Sequence, residues 1–239
     1  SDRLYPSIFC HSPYTCSKQT LMAAKKAANE LSVLFQIHVA ETKNEIHVIQ
    51  DRGDLSIVQY LDSIGVLDEN TLLVHSVWVD DTDIGIVQKT GAKVAHCPES
   101  NMKLASGIAP VPKMLEHDIV VGLGTDGCAS NNDHDLIAEM DMAAKLHKGA
   151  LLDPCVMAAR TTLKMATIEG AKAIGLGHIT GSIEKGKRAD IILVGLNKHH
   201  VTPMFDPFST LVYSAKSSDV RMVMVDGNIL VEAGELVGQ

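Results

Sequence analysis

Apolar residues fall into short runs separated by longer amphipathic stretches. The runs occupy 7–11, 34–40, 71–77, 92–96 and 119–124. Between them, helical spacing predicts segments at about 17–31, 53–65, 80–90, 107–117 and 132–148, with Ser17 and Asp54 as N-caps of the first two. Strands alternating with helices of this length predict repeated βα units and a parallel sheet. Two further helical segments follow at roughly 154–167 and 168–174. The pattern then changes. Residues 181–190 lead into an apolar run at 191–194, and 220–227 lead into 228–232, with Asp226, Gly227 and Asn228 as a tight-turn signal between two strands. The chain is therefore expected to divide into an α/β unit over 1–178 and a β-rich appendage over 179–239.

The polar residues sharpen this picture. Each apolar run closes, at its C-terminal side, on a residue able to do chemistry: His11, His38 followed by Glu41, His75, His96 with Asn101 beyond it, and Asp126. Active sites of parallel α/β folds, above all of (β/α)₈ barrels, are built at the C-terminal ends of the strands. A single histidine there is satisfied as a core residue, and Asp126, flanked by Gly124 and Gly127, reads by itself as a turn residue. Recurrence at five strand ends is what points to a site. A His, a Glu, a second His and an Asp on successive ends describe a hydrolytic metal site, because imidazole and carboxylate suit a divalent ion that acidifies water. Hydrolytic deamination of a purine needs a proton for a ring nitrogen and a base for the water proton. Glu41 is placed for the first task, Asp126 for the second, and His75 to hold the water toward the electrophilic carbon. Zn²⁺, Fe²⁺ and Mn²⁺ all accept such ligands.

Composition removes competing classes. There are 21 Lys+Arg against 29 Asp+Glu, a net charge of −8, and only 4% aromatic residues, which disfavours a nucleic-acid binder. No apolar run approaches the ~18 residues of a membrane span. Residues 1–6 lack a secretory pattern, and Cys10, Cys16, Cys97, Cys128 and Cys155 form no CxxC pair, so reduced thiols in a cytoplasmic protein are expected. No GxSxG elbow supports serine hydrolysis.

The motifs in combination are specific. HSPYTC at 11–16, HVAET at 38–42, His75, HCPESNMKL at 96–104 followed by GIAPV at 107–111, and GTDGCASNN at 124–132 resemble the amidohydrolase superfamily. Within it they are most similar to the 5-methylthioadenosine/S-adenosylhomocysteine deaminases and related chlorohydrolase-like enzymes. The resemblance implies strands four to eight of a (β/α)₈ TIM barrel plus part of a small β-sandwich. It implies His38 and Asp126 as metal ligands, Glu41, His75 and Asp126 as catalytic residues, and His11, Glu41, Asn101 and Asp126 as substrate-binding residues. The family's first strand carries an HxH pair, and no HxH occurs here. Strands one to three and the upstream Glu and Arg that grip the ribose are thus expected to be missing, and the chain to be inactive alone. Other readings are a deaminase or chlorohydrolase acting on another heterocycle, and a non-catalytic protein. A nucleoside substrate is expected, with homo-oligomerisation or association through the open barrel edge.

Overall fold

A computed structural model of the chain describes residues 3–48 and 53–238. Five strands form one parallel sheet in sequence order: β1 (Ser7–Cys10), β2 (Leu34–Val39), β3 (Thr71–His75), β4 (Lys93–His96) and β5 (Val121–Leu123). Between them run α1 (Lys18–Leu31), α2 (Glu45–Val48), α3 (Ile57–Ser63), α4 (Asp81–Thr90), α5 (Pro98–Lys103) and α6 (Val111–Glu116). After β5 come α7 (Leu136–Leu151), α8 (Ala159–Ala166) and α9 (Ile168–Ala173). Consecutive strands pairing in parallel, each joined to the next through helix, is the wall of a (β/α)₈ barrel. The wall is open, with β1 and β5 as its edges.

The apolar alternation seen in the sequence decides which face packs. Phe35, Ile37 and Val39 of β2 are fully buried, as are Leu21 and Ala28 of α1, Leu61 of α3, Leu73 of β3 and Val121 of β5. Each large side chain of this kind contributes about 1.5–3 kcal/mol. All five residues of β3 are buried, as a central strand requires.

Helix starts follow local hydrogen-bonding chemistry. Ser17 caps α1 by accepting the Thr20 N–H at 3.2 Å. The cap of α3 is Ser56 rather than Asp54. Ser56 Oγ accepts the Gln59 N–H at 3.0 Å, and Gln59 Oε1 accepts the Ser56 N–H at 3.1 Å. This capping box satisfies two orphan donors at once, which Asp54 cannot do from its position. Asp83 of α4 also accepts a hydrogen bond from Ser56 Oγ. The helix predicted at 107–117 begins only at Val111, because Gly107 has a φ of 125° that a helix cannot contain. A further short helix, α5, precedes it, and the apolar spacing did not announce that one.

A second, antiparallel sheet contains β6 (Ile191–Val194), β7 (Val220–Val225), β8 (Asn228–Glu232) and β9 (Glu235–Leu236). Val225 pairs with Asn228, so the turn has two central residues, Asp226 and Gly227, with φ of 52° and 77°. Positive φ at both positions is the mark of the type I′ hairpin, whose twist matches the flanking strands. Asn228 already belongs to the strand.

Candidate active site

The chain turns sharply where β2, β3 and β5 end. Ala40, His75, Ser76 and Asp126 have φ of 50°, 75°, 49° and 61°, a region that residues other than glycine seldom occupy. Sheet hydrogen bonds hold these turns in place: the Ser76 N–H donates to Val39 O at 3.0 Å and the Gly124 N–H to His96 O at 2.9 Å. The strain therefore sits at the strand ends that carry the chemistry.

His38, His75 and Asp126 converge there. One ligand atom from each lies within 4.8 Å of the others. The His38 and His75 rings stack with centroids 5.2 Å apart. His38 Nδ1–H donates to the carbonyl of His11 at 2.7 Å, which leaves Nε2 as the unprotonated nitrogen of the neutral ring. Burial, and then the neighbouring His75, hold the His38 pKa below its ordinary value and so favour that neutral form. Asp126 Oδ2 accepts hydrogen bonds from Ser100 Oγ at 2.8 Å and Ser130 Oγ at 2.5 Å. Burial pushes the Asp126 carboxyl upward, but the bonds from Ser130, Ser100 and the Gly127 N–H outweigh it and keep the group below the usual carboxylate range. Two imidazoles and an ionised carboxylate at this spacing form a donor set that fits a divalent transition metal.

Glu41 stands beside this cluster, with Oε2 3.7 Å from His75 Nε2. Ser106 Oγ donates to its other oxygen at 3.1 Å. The loop bearing Ser106 is tied down by Trp78, whose Nε1–H donates to Ser106 O at 2.7 Å. The backbone of Glu41 is shaped from below: Glu45 is buried, and its Oε1 accepts the N–H groups of Glu41 and Thr42 at 2.7 and 2.9 Å.

The remaining candidates take different places. His11 is exposed beside the cluster, with its Nδ1 2.8 Å from Thr15 Oγ1 and its ring edge-on to His38 at 5.1 Å. Asn101 is fully buried, and its Oδ1 is 2.9 Å from His75 Nδ1, so the contact it makes is with His75. His96 is also fully buried and meets His147 of α7, Nε2 to Nε2 at 3.2 Å. It is a core histidine, and the series of five strand ends reduces to four. Sequence reasoning passed over the supports: Ser100, Ser106, Ser130 and Glu45, together with Glu139. Buried Glu139 braces the loop after Asp126 by accepting Asn131 Nδ2–H at 2.7 Å, and burial pushes its pKa up to about 8. Ser100 and Ser130 lie inside the two most specific motifs, which was the available signal. Gly122, Gly124 and Gly127 also spell a G-x-G-x-x-G pattern, but the next helix starts only at Leu136, so no helix N-terminus sits there to bind a pyrophosphate.

Residues 2–230 match the amidohydrolase family. The chain belongs to that family. A 5'-deoxyadenosine deaminase of Methanosphaera stadtmanae is 43% identical over 235 residues, which are 98% of this chain and 55% of that protein. A 5-methylthioadenosine/S-adenosylhomocysteine deaminase of Thermodesulfovibrio yellowstonii is 44% identical over 235 residues, again 98% of this chain and 54% of the relative. Among solved structures, an adenosine deaminase from Xanthomonas campestris with bound zinc superposes with a TM-score of 0.94 at 33% identity, over 98% of this chain and 53% of the other. This amidohydrolase chain thus spans about half the length of the relatives it matches. Its open five-stranded wall carries the α/β architecture of that family. Among the described residues no helix is long and apolar enough to cross a membrane.

Proposed function

We propose that this chain carries the reaction centre of a metal-dependent deaminase that replaces the exocyclic amine of an adenosine-type nucleoside with hydroxyl and releases ammonia. The observation that carries this reading is the convergence of His38, His75 and Asp126 within 4.8 Å, with the Glu41 carboxylate 3.7 Å from His75. The deaminase names of the relatives supply the substrate class, methylthioadenosine, S-adenosylhomocysteine or 5'-deoxyadenosine.

His38 and Asp126 are the residues to hold the ion. Zn²⁺ is favoured by the zinc in the Xanthomonas campestris structure, and Fe²⁺ or Mn²⁺ suit the same donors. When bound, the ion supplies a water acidic enough to attack near neutral pH. Glu41, held by Ser106, delivers a proton to the purine ring nitrogen. Asp126, kept ionised by its serine bonds, accepts the proton of the attacking water. His75 orients that water, and His11 meets the nucleoside at the exposed mouth. Residues 1–178 form the hydrolase unit in this reading and 179–239 the appendage, with the open edges at β1 and β5 as the surface for association with another chain.

A chimera tests the proposal. Residues 1–239 replace the matching half of the Thermodesulfovibrio yellowstonii relative, and loss of the adenine absorbance of methylthioadenosine is followed. We expect turnover, and we expect Glu41→Gln to lower it by about 10² or more while substrate still binds. Near-normal turnover in that variant would remove Glu41 from the mechanism.

A further inference from the structure

We propose that Asn101 is a positioning residue whose side-chain oxygen sets the tautomer of His75, so that the ring carries its proton on Nδ1 and turns a bare Nε2 toward the site. The inference rests on the reading of His75 as a site residue, but the tautomer can be measured without it.

His75 ends β3 and is 1% exposed, and Asn101 lies in α5 with no exposure at all. No bulk water can therefore choose the tautomer of this ring. A neutral imidazole has one donor and one acceptor, and the partner of one nitrogen fixes the state of the other. His75 Nδ1 is 2.9 Å from Asn101 Oδ1, an acceptor only, so Nδ1 must be the donor. Nε2 then keeps a lone pair, and it faces the Glu41 side of the cluster.

The cost of Asn101 points the same way. Its Nδ2 is buried and finds no hydrogen-bond partner among the described residues. Burying an amide half-satisfied is unfavourable, and a leucine of similar size would avoid the penalty. Packing alone therefore does not call for an asparagine, whereas orienting His75 does. The backbone around it is well determined: the Asn101 N–H donates to Cys97 O at 3.0 Å, and Asn101 O accepts the Ser106 N–H at 2.8 Å. Asn101 is thus held from the same segment that places Ser100 on Asp126 and Ser106 on Glu41.

A ring so fixed has a defined chemical role. With Nε2 unprotonated, His75 accepts a hydrogen bond from water or donates its lone pair to a metal ion, and it does not act as an N–H donor into the site. Hydrogen bonds of this supporting kind are worth roughly 10–100-fold in activity or metal affinity.

The test uses residues 1–239 labelled with ¹⁵N, free of metal at pH 8, and long-range ¹H–¹⁵N correlation of the imidazole rings, with His75 assigned by its disappearance in His75→Gln. Wild type is expected to show His75 protonated at Nδ1. Asn101→Leu should move it to a mixture dominated by Nε2–H, and Asn101→Asp, which keeps the oxygen, should retain the Nδ1–H form. Turnover of methylthioadenosine by the chimera should rank the three in parallel, with the leucine variant slower by about 10-fold or more. A structural role alone would make the two variants alike. An Nε2-protonated His75 in wild type overturns the proposal whether or not the leucine variant folds, and so does an unchanged tautomer in a folded Asn101→Leu. Absence of turnover by the wild-type chimera would count against the deaminase reading alone, since the tautomer is read without metal or substrate.

Discussion

Gly107 shows how little room the loop beside Glu41 has. A Cβ there would sit 2.9 Å from Val77 Cγ1 and 3.0 Å from Trp78 Cζ2, and the φ of 125° is itself hostile to side chains. The close approach lets Trp78 reach Ser106 O and so steadies the hydroxyl on Glu41. Gly107→Ala should therefore destabilise the chain by about 1–3 kcal/mol, measured by chemical denaturation. It should also shift the fluorescence of Trp78, the single tryptophan of the sequence. An unchanged spectrum together with unchanged stability would show that the loop has slack. Glu41, His75 and Asp126 were each legible in the sequence as strand-end residues. What each is bonded to was not, because Ser106 lies 65 residues from Glu41, and Asn101 and Ser100 lie 26 residues from His75 and Asp126.

At the level of elements, β4 and α7 are joined by the buried pair His96 and His147. Burial holds both imidazoles below their ordinary pKa, His96 far below and His147 down to about 4, with Lys148 adding to the shift of the latter. In the unfolded chain these rings protonate near pH ~6.5. Between that value and about 4 the unfolded state binds more protons than the folded one, so stability is fully present above the upper limit and is lost as pH falls. Each such proton contributes a slope of at most about 1.4 kcal/mol per pH unit. Thermal melts at intervals from pH 7 to 4 should show the loss, and His147→Gln should flatten part of it; an equally steep decline in that variant would assign the acid sensitivity to other groups. The elements themselves were largely legible. Periodicity located all five parallel strands and the hairpin, since period-2 and helical spacing record which face is buried. Helix α5 escaped because it is only six residues long. Ser56 displaced Asp54 as a cap because Gln59, three residues on, completes a local capping box with it, and the bond to Asp83 adds to this once α3 and α4 are packed together.

For the whole molecule, the wall of five described parallel strands is open at β1 and β5. The described residues offer one cluster of three metal-binding groups at its strand ends, with His75 buried and His38 and Asp126 partly exposed. Positioning and water exclusion supply much of an enzyme's rate. Residues 1–239 expressed by themselves and given Zn²⁺ should convert methylthioadenosine roughly 10³-fold or more slowly than the Thermodesulfovibrio yellowstonii relative. Comparable turnover would mean that this half-length chain assembles a full site. The alternation of strand and helix, the residues at each strand end and, through HVAET, HCPESNMKL and GTDGCASNN, the family are all legible along the chain. These are local properties, written in spacing and residue type. That His38, His75 and Asp126 meet while His96 turns away to His147, and that Asn101 reaches His75, emerges only on folding. Those outcomes depend on strand register and on the packing of segments 26 to 88 residues apart, and no local pattern encodes the distance between side chains that far separated along the chain.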